Sequence, residues 1–416
     1  VGQSSKTSGA SQTLPVWARR DAFPAKPATS GFGFFDAKGR AHVADDLEDL
    51  ASKLRSSREG IDLVWTPEHD RLVVPEEVAA LHTPIRIRRK LAAERDLSDG
   101  LRMGAVFAAV MAWSLWSAWQ NSGGQWSSLY SSQVAGVAAL LFLIFGLLPL
   151  YEGWKTKTHL AKMKHRDMAE DLPDAQFDSW MHRQRIPVTY GLLACLAVCA
   201  VVQLVVDMGA AGSGGLKLSI LRAGLLKQEG VKYLAAFPDA TETWRLMTTP
   251  FLHGNIVHLL MNAAGLMYLG RRTECLARWP HLLIVFFMAM WVGGYASFWW
   301  YPDRPAVGAS GGIMGLLGFL MVFELMHRSL VPRLARRRLI AGVILMGVIG
   351  TLGMSFIDNA AHVGGLVAGM VYAAVVFPPS ASMHRPKSIT RDKIAGFVAG
   401  CLILVAALTA VLKMLG

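Results

Sequence analysis

Long apolar stretches broken by short polar ones dominate the chain from about residue 101 onward. A helix needs about 20 mostly apolar residues to cross the hydrocarbon core of a bilayer. Residues 101–119, 134–151, 186–207, 281–301, 339–354, 362–377 and 394–415 meet or approach that length. Two shorter windows, 256–269 and 309–326, are apolar but carry polar residues that a lipid-facing helix does not want. The pattern predicts an all-α polytopic membrane protein with about nine spans.

The pattern is different ahead of the spans. Residues 1–30 are rich in Ser, Thr, Ala, Gly and Pro and read as a disordered tail. In residues 31–95 the periodicity changes: 31–35, 61–65 and 71–74 read as strands, 45–54 as an amphipathic helix, and Pro75 opens a further helix. This predicts a small cytosolic α/β module with no catalytic constellation, suited to interaction or regulation. The rest divides into two additional spans (96–152), a basic cytosolic linker (153–185), a six-helix core (186–378), and a linker with a last span (379–416). Within the outer connection 208–250, residues 216–226 are amphipathic and suit the membrane interface.

Composition agrees with the pattern: 53% of residues are hydrophobic and 17% charged, and mean hydropathy is +0.35. A net charge of +12 and a pI near 9.7 would also suit a nucleic-acid partner. The positions of the charges fit membrane topology better than a binding patch, and no nucleic-acid partner is expected. Lys and Arg collect in alternate connections: Arg86, Arg88, Arg89 and Lys90; residues 155–166 with Arg183 and Arg185; Arg271, Arg272 and Arg278; Arg333 and residues 336–338; and Arg385, Lys387, Arg391 and Lys393. Connections 120–133 and 355–361 are poor in both. By the positive-inside rule the N-terminus is cytoplasmic and the C-terminus lies outside, in a plasma or bacterial inner membrane. The first long apolar run begins near residue 101, so the first span is expected to direct insertion. Cys195, Cys199 and Cys401 fall within spans and Cys275 in an inner connection. No spacing suggests a metal site, and no cofactor or disulfide is expected.

Ionisable and polar side chains are costly at membrane depth and usually functional. Three places stand out: His253, His258 and Asn262; Ser310 within Gly308-Ala309-Ser310-Gly311-Gly312; and His362 within Ala360-Ala361-His362-Val363-Gly364-Gly365. Ser310 fits Gly-x-Ser-x-Gly, but the nucleophile elbow of α/β hydrolases needs a preceding strand. Here the motif opens an uncharged, lipid-compatible helix. Gly311 with Gly315, and Gly365 with Gly369, have the spacing that lets membrane helices approach closely. If those faces meet, Ser310 meets His362. A hydroxyl becomes a useful nucleophile when a neighbouring base takes its proton, and a histidine can do so near neutral pH. His258 and Asn262, four apart on one helix face, could then donate to the oxyanion that follows attack on a peptide carbonyl. Alone, a serine in a glycine-rich helix is ordinary packing, and a His–Asn pair can simply cross-link helices. It is the combination that points to chemistry.

These residues resemble the rhomboid family. Glu242-Thr243-Trp244-Arg245 looks like its first-loop Trp-Arg motif. His253, His258 and Asn262 look like its His-x4-His-x3-Asn signature, Gly308-Ala309-Ser310-Gly311 like its Gly-x-Ser-Gly motif, and 357–365 like the helix bearing the base. The resemblance covers roughly residues 185–378. It implies a serine endopeptidase with a Ser310–His362 dyad, an oxyanion site using His258 and Asn262, transmembrane proteins as substrates, and Trp244, Arg245 and His253 as shapers of the outer loop. Asp358, one turn before His362, reads as a helix cap rather than as a third catalytic member. Family members often carry a Tyr one turn after the nucleophile; Met314 stands there in this chain. An inactive rhomboid-like protein that binds membrane helices is the alternative, and the oligomeric state is left open.

Overall fold

A computed structural model describes residues 14–28, 31–36, 38–56, 61–127, 133–162, 168–209, 217–224, 244–300, 305–352 and 357–416. The chain forms two compact units, one of residues 1–183 with 344–357, the other of 184–343 with 358–416.

The first unit opens with the expected α/β module. Strands β1 (Phe32–Asp36), β2 (Ala41–Ala44) and β3 (Ile61–Trp65) form an antiparallel sheet in the order β2-β1-β3. Phe34 faces His42 on one side and Val64 on the other. Gly33 lies under the Trp65 indole, where a Cβ would overlap the ring. Helix α1 (Leu47–Ser56) buries Leu50 and Leu54 against Phe34, Val64, Val73, Leu81 and Ile85. The turn between β1 and β2 is tied by Asp36, whose carboxylate accepts from the N–H groups of Lys38 and Arg40 and from the Arg40 side chain. Those bonds, first of all the Arg40 backbone N–H, hold its pKa well below the ordinary carboxylate range.

Three details differ from the sequence reading. Strand β2 went unpredicted, because four residues give too little alternation to register. Residues 71–74 form isolated bridges, Ala25 with Arg71 and Val64 with Val73, rather than a strand; Pro75–Glu77 and Ala79–Leu81 are 3-10 turns before the first long helix. Residues 14–28 lie against the module: Trp17 and Phe23 are buried, and the Leu72 N–H donates to the Pro24 carbonyl. The remainder of the expected tail, residues 1–13, 29 and 30, is outside the described residues.

Helix α2 (His82–Asn121) then packs along α3 (Gln133–Phe142) and α4 (Leu148–Lys162), which a single π turn, Leu143–Leu147, joins into one rod. Their seam is lined by small residues. Gly146 meets Gly104 backbone to backbone, and a Cβ on Gly153 would lie 2.8 Å from the Ala93 carbonyl oxygen. Helix α5 (Met168–Arg183) belongs to the same unit and is fastened to it by an Arg89–Asp171 ion pair at 2.6 Å.

The second unit holds α6 (Pro187–Gly209), the short α7 (Leu218–Ala223) and α8 (Trp244–Thr248), then α9 (Ile256–Ala277), α10 (Trp279–Trp300), α11 (Ser310–Met326), the first half of α12 (Arg333–Leu352), α13 (Asn359–Val376) and α14 (Thr390–Leu415). The interfacial helix expected over 216–226 is the six-residue α7; residues 216, 225 and 226 lie outside the described set.

A helix stands at each of the nine predicted spans, and the protein is an integral membrane protein. Six described helices are long and apolar enough to cross a bilayer by length and composition, and Ser310–Met326 is a shorter apolar helix. Outward side chains such as Val198, Val201, Leu204 and Val205 on α6 and Leu404, Val405, Leu408 and Leu412 on α14 are uncovered by protein, as lipid contact requires. Helices α9, α11 and α12 fall short of that test; α9 and α11 carry three of the four candidate residues, and His362 lies on α13.

Helix α11 is the centre of this unit, buried along most of its length and packed on α10, α9 and α13. Its contact with α13 is backbone against backbone: a Cβ on Gly365 would overlap the Gly311 carbonyl oxygen, and one on Gly369 that of Gly315. Buried charges have hydrogen-bonded partners. Arg272 meets Glu324 through two hydrogen bonds, at 2.5 and 2.9 Å, linking α9 to α11. Glu274 accepts from the N–H groups of Val188 and Thr189 at 3.1 and 2.8 Å, serving donors at the start of α6 that have no intrahelical acceptor.

Gly369→Val places three carbons where the Gly315 carbonyl lies, and an overpacked core site of this kind costs about 1–3 kcal/mol or more. Gly342, where a Cβ would find nothing within 4 Å, is the control. Thermal unfolding in detergent should show a clear loss for Gly369→Val and a change within about 0.5 kcal/mol for Gly342→Val.

Candidate active site

The segment entering α9 is built from the outside in. Arg245, buried, donates from Nη1 to the carbonyls of Leu221, Arg222 and Gly224 at 3.3, 3.1 and 2.9 Å. The Trp244 ring is approached by two cations, the Arg245 guanidinium at 4.6 Å from its centroid and the Lys413 ammonium at 4.9 Å. A 3-10 turn, Thr249–Phe251, brings the chain to His253, and Asn255 caps α9 by accepting from the His258 N–H at 2.9 Å. One turn of α9 separates His258 from Asn262, as their spacing predicts. Asn262 is buried, and its Nδ2 donates to His253 Nε2 at 2.9 Å; the His253 and His258 rings meet edge to face.

Ser310 is the first residue of α11 and is half-buried. The chain reaches it through Gly308, whose φ of +117° suits glycine, and whose N–H donates to the Thr249 carbonyl at 3.0 Å. This glycine is also where the first two motifs meet. A Cβ there would lie 2.6 Å from His258 Cε1, 2.7 Å from its Nε2 and 3.3 Å from Asn262 Nδ2. The His258–Asn262 face therefore lies against the backbone two residues before Ser310. The first N–H groups of any helix lack intrahelical acceptors and carry the positive end of its dipole. At α11 those groups belong to Ser310, Gly311 and Gly312.

His362 lies in the first turn of α13 and is half-buried. Asp358 caps that helix as expected: its Oδ1 accepts from the Ala361 N–H at 3.0 Å, and its other oxygen accepts from the Ser297 hydroxyl of α10. The third motif joins the others through its neighbours. The Ala361 carbonyl is 3.6 Å from a Cβ position on Gly311, a Cβ on Gly293 of α10 would lie 2.7 Å from the same carbonyl, and His362 is within electrostatic range of His258. All four candidate residues belong to the starts of α9, α11 and α13, and those starts are gathered at one end of the seam. Met314, one turn into α11, is buried.

Two polar residues in this neighbourhood were missed by the sequence reading. Ser297 supports Asp358 from α10, and Gln203 on α6 holds the backbone of His253 at 2.9 and 2.8 Å. Both are polar side chains inside apolar spans, a signal the cost of membrane burial supplies. Among the described residues no group of three or more His, Cys, Asp or Glu is placed to hold a metal ion.

Comparison with known proteins gives these residues a context. The Rhomboid domain family model matches residues 240–379. Rhomboid protease GluP of Bacillus subtilis (strain 168) is 32% identical over 161 residues, covering 39% of this chain and 31% of that protein. RHOMBOID-like protein 6, mitochondrial, of Arabidopsis thaliana is 29% identical over 132 residues, covering 32% and 43%. Inactive rhomboid protein 2 of Homo sapiens is 34% identical over 143 residues, covering 34% and 16%. The chain thus spans less than half the length of these relatives.

The cap at Asp358 makes a separable prediction. Asp358→Asn keeps an acceptor for the Ala361 N–H, whereas Asp358→Ala loses about 0.5–2 kcal/mol of helix stability. Unfolding in detergent should therefore rank Asn well above Ala, and any catalytic rate should survive in Asn. A collapse of the rate in the Asn variant at intact stability would instead make the carboxylate charge part of the reaction.

Proposed function

Because this chain belongs to the rhomboid family, we propose that it is an intramembrane serine endopeptidase that cleaves peptide bonds in or near transmembrane helices of other membrane proteins. The observation that carries this reading is the position of Ser310: at a helix start, behind a glycine whose backbone touches His258 and Asn262, with the His362 helix packed against the next residue, Gly311.

On this reading His362 takes the proton from Ser310 Oγ as the oxygen attacks the scissile carbonyl carbon. The carbonyl π electrons move to oxygen, and the resulting oxyanion is met by His258, by Asn262 Nδ2 and by N–H groups at the start of α11. Preorganised donors of this kind supply one of the largest single contributions to such catalysis. When the C–N bond breaks, His362 returns the proton to the leaving amine. Water, deprotonated by the same histidine, then hydrolyses the acyl-serine and regenerates the hydroxyl.

The alternation of basic connections puts the N-terminus in the cytoplasm and opens the site toward the outer side, in a plasma or bacterial inner membrane. A substrate helix keeps its peptide bonds paired, so it must unwind near the cut. Small residues at the scissile bond and helix-weakening residues beyond it suit that requirement.

The relatives include a protein named a protease and others named inactive rhomboids. Binding of membrane helices without cleavage is therefore the competing reading. The test is cleavage of a single-span model substrate by the purified protein in liposomes. Loss of a serine nucleophile in a soluble protease costs on the order of 10⁶ in rate, so the proposal expects cleavage by wild type and none by Ser310→Ala. Wild-type protein that binds the substrate without cutting it would favour the inactive reading, and equal cleavage by both would remove Ser310 from its role.

A further inference from the structure

Helix α6 is apolar, yet at Gln203 it turns a buried amide toward the entry of α9. That amide holds both polar groups of one peptide residue. Its Oε1 accepts from the His253 N–H at 2.9 Å, and its Nε2 donates to the His253 carbonyl at 2.8 Å. His253 lies between the 3-10 turn and α9, where neither helix nor sheet supplies its backbone with partners. Non-helical backbone at membrane depth has to be satisfied by protein. A two-point contact also fixes orientation, which a single bond does not.

The orientation has a chemical consequence one residue further on. His253 is 3% exposed, and its Nε2 accepts from Asn262 Nδ2 at 2.9 Å. An asparagine amide has a donor end and an acceptor end of nearly the same shape. Its neighbours decide which end points where. With His253 Nε2 as acceptor, Nδ2 gives one N–H to His253 and keeps the second on the side of Gly308, where Nδ2 is 3.3 Å from a Cβ position. The inverted amide would turn its carbonyl oxygen to that side, and its lone pairs would repel an oxyanion.

We propose that Gln203 is a positioning residue for the reaction: by clamping the backbone of His253 it holds the His253 ring where Nε2 meets Asn262 Nδ2, and so keeps the donor end of Asn262 facing the oxyanion. The proposal rests on the oxyanion role given to Asn262 above. Gln203 itself meets neither the substrate nor Ser310.

A double-mutant cycle on the full chain separates this role from plain structural support, with kcat and KM read on one single-span substrate. Misplacing a catalytic group by about 1 Å costs on the order of 10² in rate. Gln203→Leu should therefore lower kcat by about that factor with KM little changed. Asn262→Ala should lower kcat by about 10²–10³, as removal of an oxyanion donor does. In the Asn262→Ala background Gln203→Leu should cost less than about threefold, because the donor it aligns is gone. A full second loss in that background would show that Gln203 supports only the fold, and would overturn the proposal. An unchanged kcat in Asn262→Ala alone would remove the oxyanion assignment itself, a different failure.

Gln203→Glu guards against a leucine variant that does not fold. A protonated carboxyl keeps one donor and one acceptor, whereas the ionised form only accepts. The ratio of its kcat to that of wild type should stay near one at low pH and fall as the introduced carboxyl ionises. Taking the ratio cancels the titration of the base shared by both proteins. A ratio independent of pH would also overturn the clamp.

Discussion

At the upper half of the α11–α13 contact no side chain separates the two helices: a Cβ on Gly365 or Gly369 would strike the carbonyl oxygens of Gly311 and Gly315. Packed helix axes usually stand 8–10 Å apart, at a distance set by the side chains between them. Within lipid there is no hydrophobic drive to bring helices together, so close packing has to supply the attraction. The glycine seam does this, and it has a further effect. It draws the start of α13 against the start of α11, so that the neighbours of His362 and Ser310 touch. The geometry of the site follows from a packing constraint that involves no catalytic atom.

The same environment governs the polar groups. Lipid offers no hydrogen bonds, so backbone and side-chain polar groups at membrane depth depend on partners supplied by the protein or by a water-filled cavity. Glu274 serves the N–H groups at the start of α6, Arg272 and Glu324 neutralise each other, and Gln203 serves both groups of His253. Removing one member of a buried ion pair costs about 3–5 kcal/mol, because the remaining charge is uncompensated. The first two contacts tie the far end of α9 to α6 and α11, and Gln203 fastens its entry to α6. On the proposed reading the site aims donors at a developing charge, and electrostatic preorganisation of that kind needs its dipoles held in place.

Much of this was readable in the sequence, for definite physical reasons. Apolar length marked most of the nine spans, and shorter apolar windows interrupted by polar residues marked α9 and α11. Glycine spacing gave the α11–α13 seam, because four-residue spacing puts both glycines on one face. Polar residues inside apolar windows pointed to His258, Asn262, Ser310 and His362. What was missed depended on tertiary contacts or on too few residues. Strand β2 is four residues long and is held by pairing with β1 and by the Asp36 turn. Residues 71–74 had strand character but found only isolated partners. Phe23 and the Pro24 carbonyl bring residues 14–28 onto the module, and Trp17 packs edge-on to Phe177 of α5, although the surrounding composition reads as a tail. Gln203 was legible as a polar residue in a span, but its partner, the backbone of His253, could be known only from the fold.

The central claim is that the convergence of three helix starts makes Ser310 a nucleophile served by His362. A fluorophosphonate probe tests it directly, with intact mass as the readout, because such a probe labels an activated serine without needing a known substrate. The account predicts one adduct per chain, located on Ser310, absent in Ser310→Ala and strongly slowed in His362→Ala at unchanged thermal stability. Labelling that persists in Ser310→Ala, or that proceeds at the wild-type rate in His362→Ala, would contradict it.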